Sequence, residues 1–236
     1  MRIVVAGLMA TWPLGGVFWD YAQYLLGFRD LGHEVLYVED TGGWCYDPGT
    51  RTRCEGGARN ARRLGAWMER VDLGGDWHFR DAAGQVHGRP WEETAAFCRD
   101  ADLFLNVSCA SLPREEYLAA RRTALVDSDP LYTQQAVPAS LRGEAAAEDR
   151  ARLEVMARYD VHLTFGESVG RPGCRVPDGL FRWVPTRQPV VLDLWEALAL
   201  PAADRRPVFT TVGSWEPGGA GPRAGGAPDA RQSARL

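Results

Sequence analysis

The chain reads as an α/β domain with a mostly parallel sheet in three layers, on three observations. Residues 1–40 run apolar segment, glycine-containing loop, helical segment, apolar segment, which is how a doubly wound domain begins. Short apolar runs then recur at residues 101–107, 123–126 and 160–165, each leaving through polar or glycine-rich residues. Finally, 236 residues at 45% apolar suffice to bury a core in one domain.

Element by element, Ile3-Val4-Val5-Ala6-Gly7 is the first strand. Helix is expected from Phe18, because Phe18, Ala22, Leu25 and Phe28 form one apolar stripe able to cover a sheet. Gly32 supplies the stop, and Val35-Leu36-Tyr37-Val38 is β-branched and aromatic enough for the second strand. At its end, Glu39 and Asp40 either contact ribose or sugar hydroxyls or act as ordinary edge-of-sheet carboxylates. The glycine pair Gly15-Gly16 lets the backbone approach a ligand closely, with the amides of the next helix pointing at whatever sits there. No G-x-G-x-x-G pattern lies between Gly7 and Gly16, and the chain has no lysine, which excludes a P-loop and a lysine Schiff base.

Residues 41–49 have the composition of an ordered loop, whose Trp44 and Tyr46 either stack on a sugar face or pack against their own domain. A helix is expected over residues 58–71, with Ala61, Leu64, Trp67, Met68 and Val71 as its apolar stripe. Residues 77–88 form a hairpin or a surface excursion, and a short helix follows to Cys98. The strand at residues 101–107 exits through Ser108 and Ser111, where open sheets bind ligands. A helix starts near Pro113, and the strand at residues 123–126 runs into Asp127-Ser128-Asp129-Pro130, the most polar strand exit in the chain. These carboxylates bind sugar hydroxyls or a metal, or cap the helix beginning at Pro130. Residues 138–159 are one long helix or two broken near Gly143. After the strand at residues 160–165, Glu167 sits between glycines that let its carboxylate approach a ligand, whereas His162 reads as a core or edge histidine. Pro172, Pro177, Pro185 and Pro189 argue against continuous secondary structure there, and Arg187 pairs with a phosphate or a local carboxylate. A helix near residues 193–200 and a last strand at residues 208–213 complete the domain, taken as residues 1–215; residues 216–236 read as a disordered or truncated tail.

A formal charge of −4 gives no electrostatic case for a nucleic-acid partner. Five scattered cysteines and four histidines make no zinc spacing, so neither metal nor cofactor is expected. The opening apolar run is too short for a signal core or membrane span, which makes a cytoplasmic location the default.

The opening with Gly15-Gly16 and Leu31-Gly32-His33-Glu34-Val35 resembles the N-terminal, Rossmann-like domain of two-domain GT-B glycosyltransferases. Asp127-Ser128-Asp129-Pro130, Thr164-Phe165-Gly166-Glu167, the run from Pro185 to Pro189 and that from Thr210 to Trp215 look like an uncharacterised bacterial glycosyltransferase-like subgroup. The resemblance implies an acceptor-side domain of an enzyme moving sugar from a nucleotide-sugar donor to an unknown acceptor, without a metal. Gly15 and Gly16 would lie beside the donor phosphates or the transferred sugar, and Asp20 would face the same cleft. Asp20, Asp127 and Glu167 are the candidate catalytic carboxylates; Asp129 and Arg187 join the glycines as candidate substrate-binding residues. No second such domain follows Trp215, and the family's C-terminal glutamate and basic phosphate-binding residues have no counterparts. The chain alone is therefore expected to bind nucleotide sugar poorly and not to turn over. Alternative expectations are a stand-alone sugar- or nucleotide-binding domain and a truncated or frame-disrupted product.

Overall fold

A computed structural model describes residues 1–54, 56–134, 137, 139, 142–144, 146–206 and 208. In chain order the elements are β1 (Arg2–Ala6), α1 (Gly15–Asp30), β2 (Glu34–Glu39), β3 (Cys45–Asp47), β4 (Thr52–Cys54), α2 (Ala58–Arg70), β5 (Trp77–Arg80) and β6 (Val86–Gly88). There follow α3 (Trp91–Arg99), β7 (Leu103–Val107), α4 (Glu115–Leu118), β8 (Thr123–Asp127), α5 (Pro130–Gln134), α6 (Ala147–Met156), β9 (Val161–Thr164), β10 (Trp183–Pro185) and α7 (Leu192–Leu198). Eight strands form one sheet in the order β10-β9-β8-β7-β1-β2-β5-β6, and β3 and β4 make a separate hairpin. Within the main sheet every pairing is parallel except β5 with β6.

A parallel sheet needs cover on both faces, and alternation along β1 supplies it. Ile3 and Val5 belong to the core shared with Leu25 of α1 and Leu64 and Met68 of α2. Val4 and Ala6 belong to the opposite core, with Phe97 of α3, Tyr117 of α4 and Met156 of α6. The result is the three-layer, Rossmann-like α/β fold the sequence predicts.

The stripe on α1 is as expected: Phe18, Ala22 and Leu25 are buried and Phe28 packs beside them. The helix starts earlier than its stripe, so Gly15 and Gly16 form its first turn rather than the preceding loop. It stops at Gly32, whose φ of 81° lets the amides of Gly32 and His33 turn back onto the carbonyls of Arg29 and Phe28. Residues 77–88 take the hairpin form, with β5 also joined to β2.

One departure lies in the proline-rich stretch, where Trp183–Pro185 pairs with β9 as an edge strand. Proline is tolerated there because an edge strand has a neighbour on one side only. The expected strand at 208–213, the boundary at 215 and the tail 216–236 lie outside the described residues, apart from Val208, as does part of the helix expected from residue 138. Among the described residues, no helix is long and apolar enough to cross a membrane.

Candidate functional site

From β1 the chain steps one way, to β2 and then β5; from β7 it steps the other way, to β8, β9 and β10. The order therefore reverses between β1 and β7. The crevice at the carboxyl ends of these neighbours is where open α/β sheets bind ligands, and across it the Ser111 hydroxyl of the β7 loop donates to the Gly7 carbonyl that follows β1 (3.3 Å).

On the β1 side, the loop at residues 8–14 is held by Glu39, a fully buried carboxylate. Its Oε2 accepts from the Ala10 amide (2.7 Å) and the Tyr37 hydroxyl (2.6 Å), and its Oε1 from the amide and hydroxyl of Thr11 (2.6 Å each). Tyr37 in turn accepts from the Met9 amide at 2.8 Å. Of the two readings of the acids after β2, the structural one is realised: Glu39 clamps a loop, and buried Asp40 pairs with Arg114. Gly7 is where close approach is needed, since a Cβ there would stand 2.4 Å from the Tyr21 ring. Beyond the loop, the first turn of α1 carries neither an acidic residue nor a side-chain cap, and a Cβ on Gly15 or Gly16 would meet nothing within 4 Å. A helix start without a side-chain cap leaves its first amides unpaired by side chains, an arrangement suited to a negative group.

On the β7 side, Ser108 and Cys109 both hold left-handed backbone, with φ of 62° and 49°. Two consecutive non-glycine residues in that region are costly, and such strain collects at ligand sites. Buried Asn106 fixes the turn, donating to the Ser111 carbonyl (2.8 Å) and the Tyr159 hydroxyl (2.6 Å). Ser108 meets the Ser128 hydroxyl at 2.7 Å, which joins the exits of β7 and β8. Burial pushes the Cys109 thiol up to about 11, which keeps it protonated and unreactive at neutral pH.

The residues singled out from sequence fall into three groups. Asp20 and Asp129 are exposed, and each lacks an ion-pair partner among the described residues. Partial burial raises the Asp20 carboxyl above its ordinary value, with a smaller contribution from the negative charge of Asp129. Asp127 points inward: it is 2% exposed and accepts from the Asp129 amide (3.2 Å), Gln134 (3.0 Å) and Thr164 (3.2 Å). Burial raises its carboxyl despite these donors. Glu167 and Arg187 form an exposed ion pair at 2.5 Å, with Arg187 holding the glutamate below its ordinary value. For Arg187 the local-carboxylate alternative is thus the one realised.

Tyr46 stacks on Trp12 (4.9 Å) under Arg53, so that ring packs within its own domain, whereas Trp44 is 55% exposed. His162 is satisfied structurally, bonded to the Met156 carbonyl and stacked on Phe181 at 4.4 Å. Among the described residues no three His, Cys, Asp or Glu side chains come together to hold a metal. Sequence reasoning missed Tyr21 and the clamping role of Glu39; neither carries a local signal, because each acts on a loop brought to it by the fold.

No family model matches the chain, and no curated protein matches it. Solved structures of an alpha-glucosyltransferase are similar to it. One, with UDP and a 13-mer DNA holding a central A:G mismatch, is 13% identical over 84% of this chain and 43% of that one, with a TM-score of 0.41. Another, with UDP and a 13-mer DNA containing an HMU base, is 14% identical over 80% and 43%, at 0.38. A third, with UDP-glucose and DNA containing an abasic site, is 14% identical over 84% and 45%, also at 0.38. The chain spans less than half the length of these proteins. Each of these structures holds DNA together with UDP or UDP-glucose, which runs against the expectation that no nucleic-acid partner is involved.

Proposed function

We propose that the chain is the acceptor-side lobe of a GT-B-type glycosyltransferase that takes its sugar from a nucleotide-sugar donor, with the reacting groups gathered at the β1–β7 crevice. The observation that carries this reading is the reversal of strand order there, with an uncapped helix start on one lip and the strained Ser108-Cys109 turn on the other. Leaving-group charge in sugar transfer must be met by fixed donors or cations. Here the first-turn amides of α1 at Gly15 and Gly16 serve the donor diphosphate, without a metal. Asp20 and Asp129 orient the acceptor hydroxyl, one of them taking its proton. Asp127, committed to internal donors, acts as a positioning residue that holds the turn carrying Asp129. Glu167 and Arg187, paired with each other and exposed, are a charge pair available to the substrate.

The test is a titration of UDP-glucose at millimolar concentration, followed by amide chemical shifts. The reading expects perturbations at Gly15, Gly16 and Ser108 and their loss of amplitude in Gly16→Val, whose larger side chain crowds the amides. Binding that ignores this substitution, or no binding at all, refutes it.

A further inference from the structure

The stretch leading into α7 is strapped across α1 by two hydrogen bonds. Gln188 donates its amide to the Asp20 carbonyl (2.7 Å), and the Val191 amide donates to Gln23 Oε1 (2.6 Å). Val191 and Leu194 pack into the core beside α1, so the strap is anchored beyond these two bonds. Between strap and helix lies a shallow, open cavity of about 370 Å³.

Its walls have a narrow chemistry. Trp19 and Trp195 meet at 5.1 Å between ring centroids and give one aromatic side, with Trp195 39% exposed. Gln23 and Gln188 bring carboxamides; Gln23 is 4% exposed, and its Nε2 has no hydrogen-bond partner. Among the described residues, Asp20 brings the only lining carboxylate and no arginine lines the cavity. The arginine adjacent in sequence, Arg187, is already tied to Glu167.

Each feature narrows the occupant. A cavity without a basic side chain rejects phosphate and carboxylate ligands. An indole face with carboxamides and a carboxylate around it fits a ring that is apolar on its face and hydroxylated at its edge. A carboxylate without an ion-pair partner among the described residues, beside two indoles, favours a positive charge on that ring, because ammonium is attracted both to carboxylate and to the indole face. A metal ion is the poorer fit, since among the described residues no group of three His, Cys, Asp or Glu side chains comes together to hold one.

We propose that this cavity seats an acceptor ring bearing a protonated amine, an aminosugar or aminocyclitol, with its face on Trp195 and its ammonium at Asp20. The inference rests on the acceptor-lobe reading above and names the class of acceptor.

The test is ligand-observed saturation-transfer NMR on the whole chain at neutral pH, with methyl glucosaminide, its N-acetyl derivative and methyl glucoside as probes. The glucosaminide is expected to bind, and removing its charge by acetylation to weaken binding roughly tenfold or more. Trp195→Ala and Asp20→Asn are each expected to abolish the signal, while Trp195→Phe, which keeps an aromatic face, retains most of it. Circular dichroism on each variant shows that the fold persists. Equal binding of the neutral glucoside, or binding indifferent to both Trp195→Ala and Asp20→Asn, overturns the proposal. The two readings fail separately. Glucosaminide binding without any UDP-glucose footprint at Gly15 and Ser108 sinks the acceptor-lobe reading and leaves an amine-sugar site. A UDP-glucose footprint without glucosaminide binding sinks the cavity proposal alone.

Discussion

Replacing Glu39 by glutamine changes one atom and should detach the loop that forms one lip of the crevice. Both carboxylate oxygens accept from a main-chain amide, Oε2 from Ala10 and Oε1 from Thr11. Whichever way the new carboxamide is turned, its NH2 group faces one of those N–H donors, in a place with no access to water. The variant thus loses charge-assisted bonds and leaves a buried donor unsatisfied, for a cost of about 2–4 kcal/mol. That is a large share of the roughly 5–15 kcal/mol that holds a domain folded, yet small enough for the variant to be measured. Urea unfolding at neutral pH gives the difference, and amide hydrogen exchange should show Ala10 and Thr11 losing protection before the strands do. A loss below about 0.5 kcal/mol, within the range of ordinary surface changes, would refute the clamp.

The glycines should separate stability from binding: Gly16→Ala sits in open space within a helix and should stabilise by up to about 0.5–1 kcal/mol, while weakening UDP-glucose binding in the same titration. Gly7→Ala should cost about 1–3 kcal/mol by driving into Tyr21, and the cost should shrink in a Tyr21→Leu background, read by a double-mutant cycle of urea midpoints. Burial pushes the Asp81 carboxyl up, but His87 and the amides of Gln85 and Gly57 outweigh it and hold it below 3.8. Its stabilisation is therefore complete above pH 3.8 and lost as pH falls through the lower folded value; Asp81→Asn should be less stable than wild type at neutral pH, with the gap closing in acid.

What the sequence disclosed and what it hid divide along one physical line. Periodicity is a local property, so the stripe of Phe18, Ala22 and Leu25 and the buried strands around Val4 and Leu125 were legible one segment at a time. The direction of a side chain after a strand is set by partners far along the chain. Asp127 and Asp129 are two residues apart and alike on paper, yet one is sealed by Gln134 and Thr164 while the other stays exposed. Glu39 had two readings until the loop at residues 8–14 was seen folded onto it. Trp183 and Pro185 were masked by surrounding prolines, because only an existing β9 edge makes that segment a strand. Gly7 bears a close contact that only the fold reveals, with Tyr21, whereas a Cβ on Gly15 or Gly16 would meet no atom within 4 Å.

The central claim is that ligand chemistry gathers where β1 and β7 part. Hydrogen exchange of the chain with and without UDP-glucose tests it most directly. Protection is predicted at residues 7–17, at Ser108 and Cys109, and at Ser128 and Asp129. Protection confined to the opposite ends of the strands, around Arg2, Glu34 and Leu103, would contradict it.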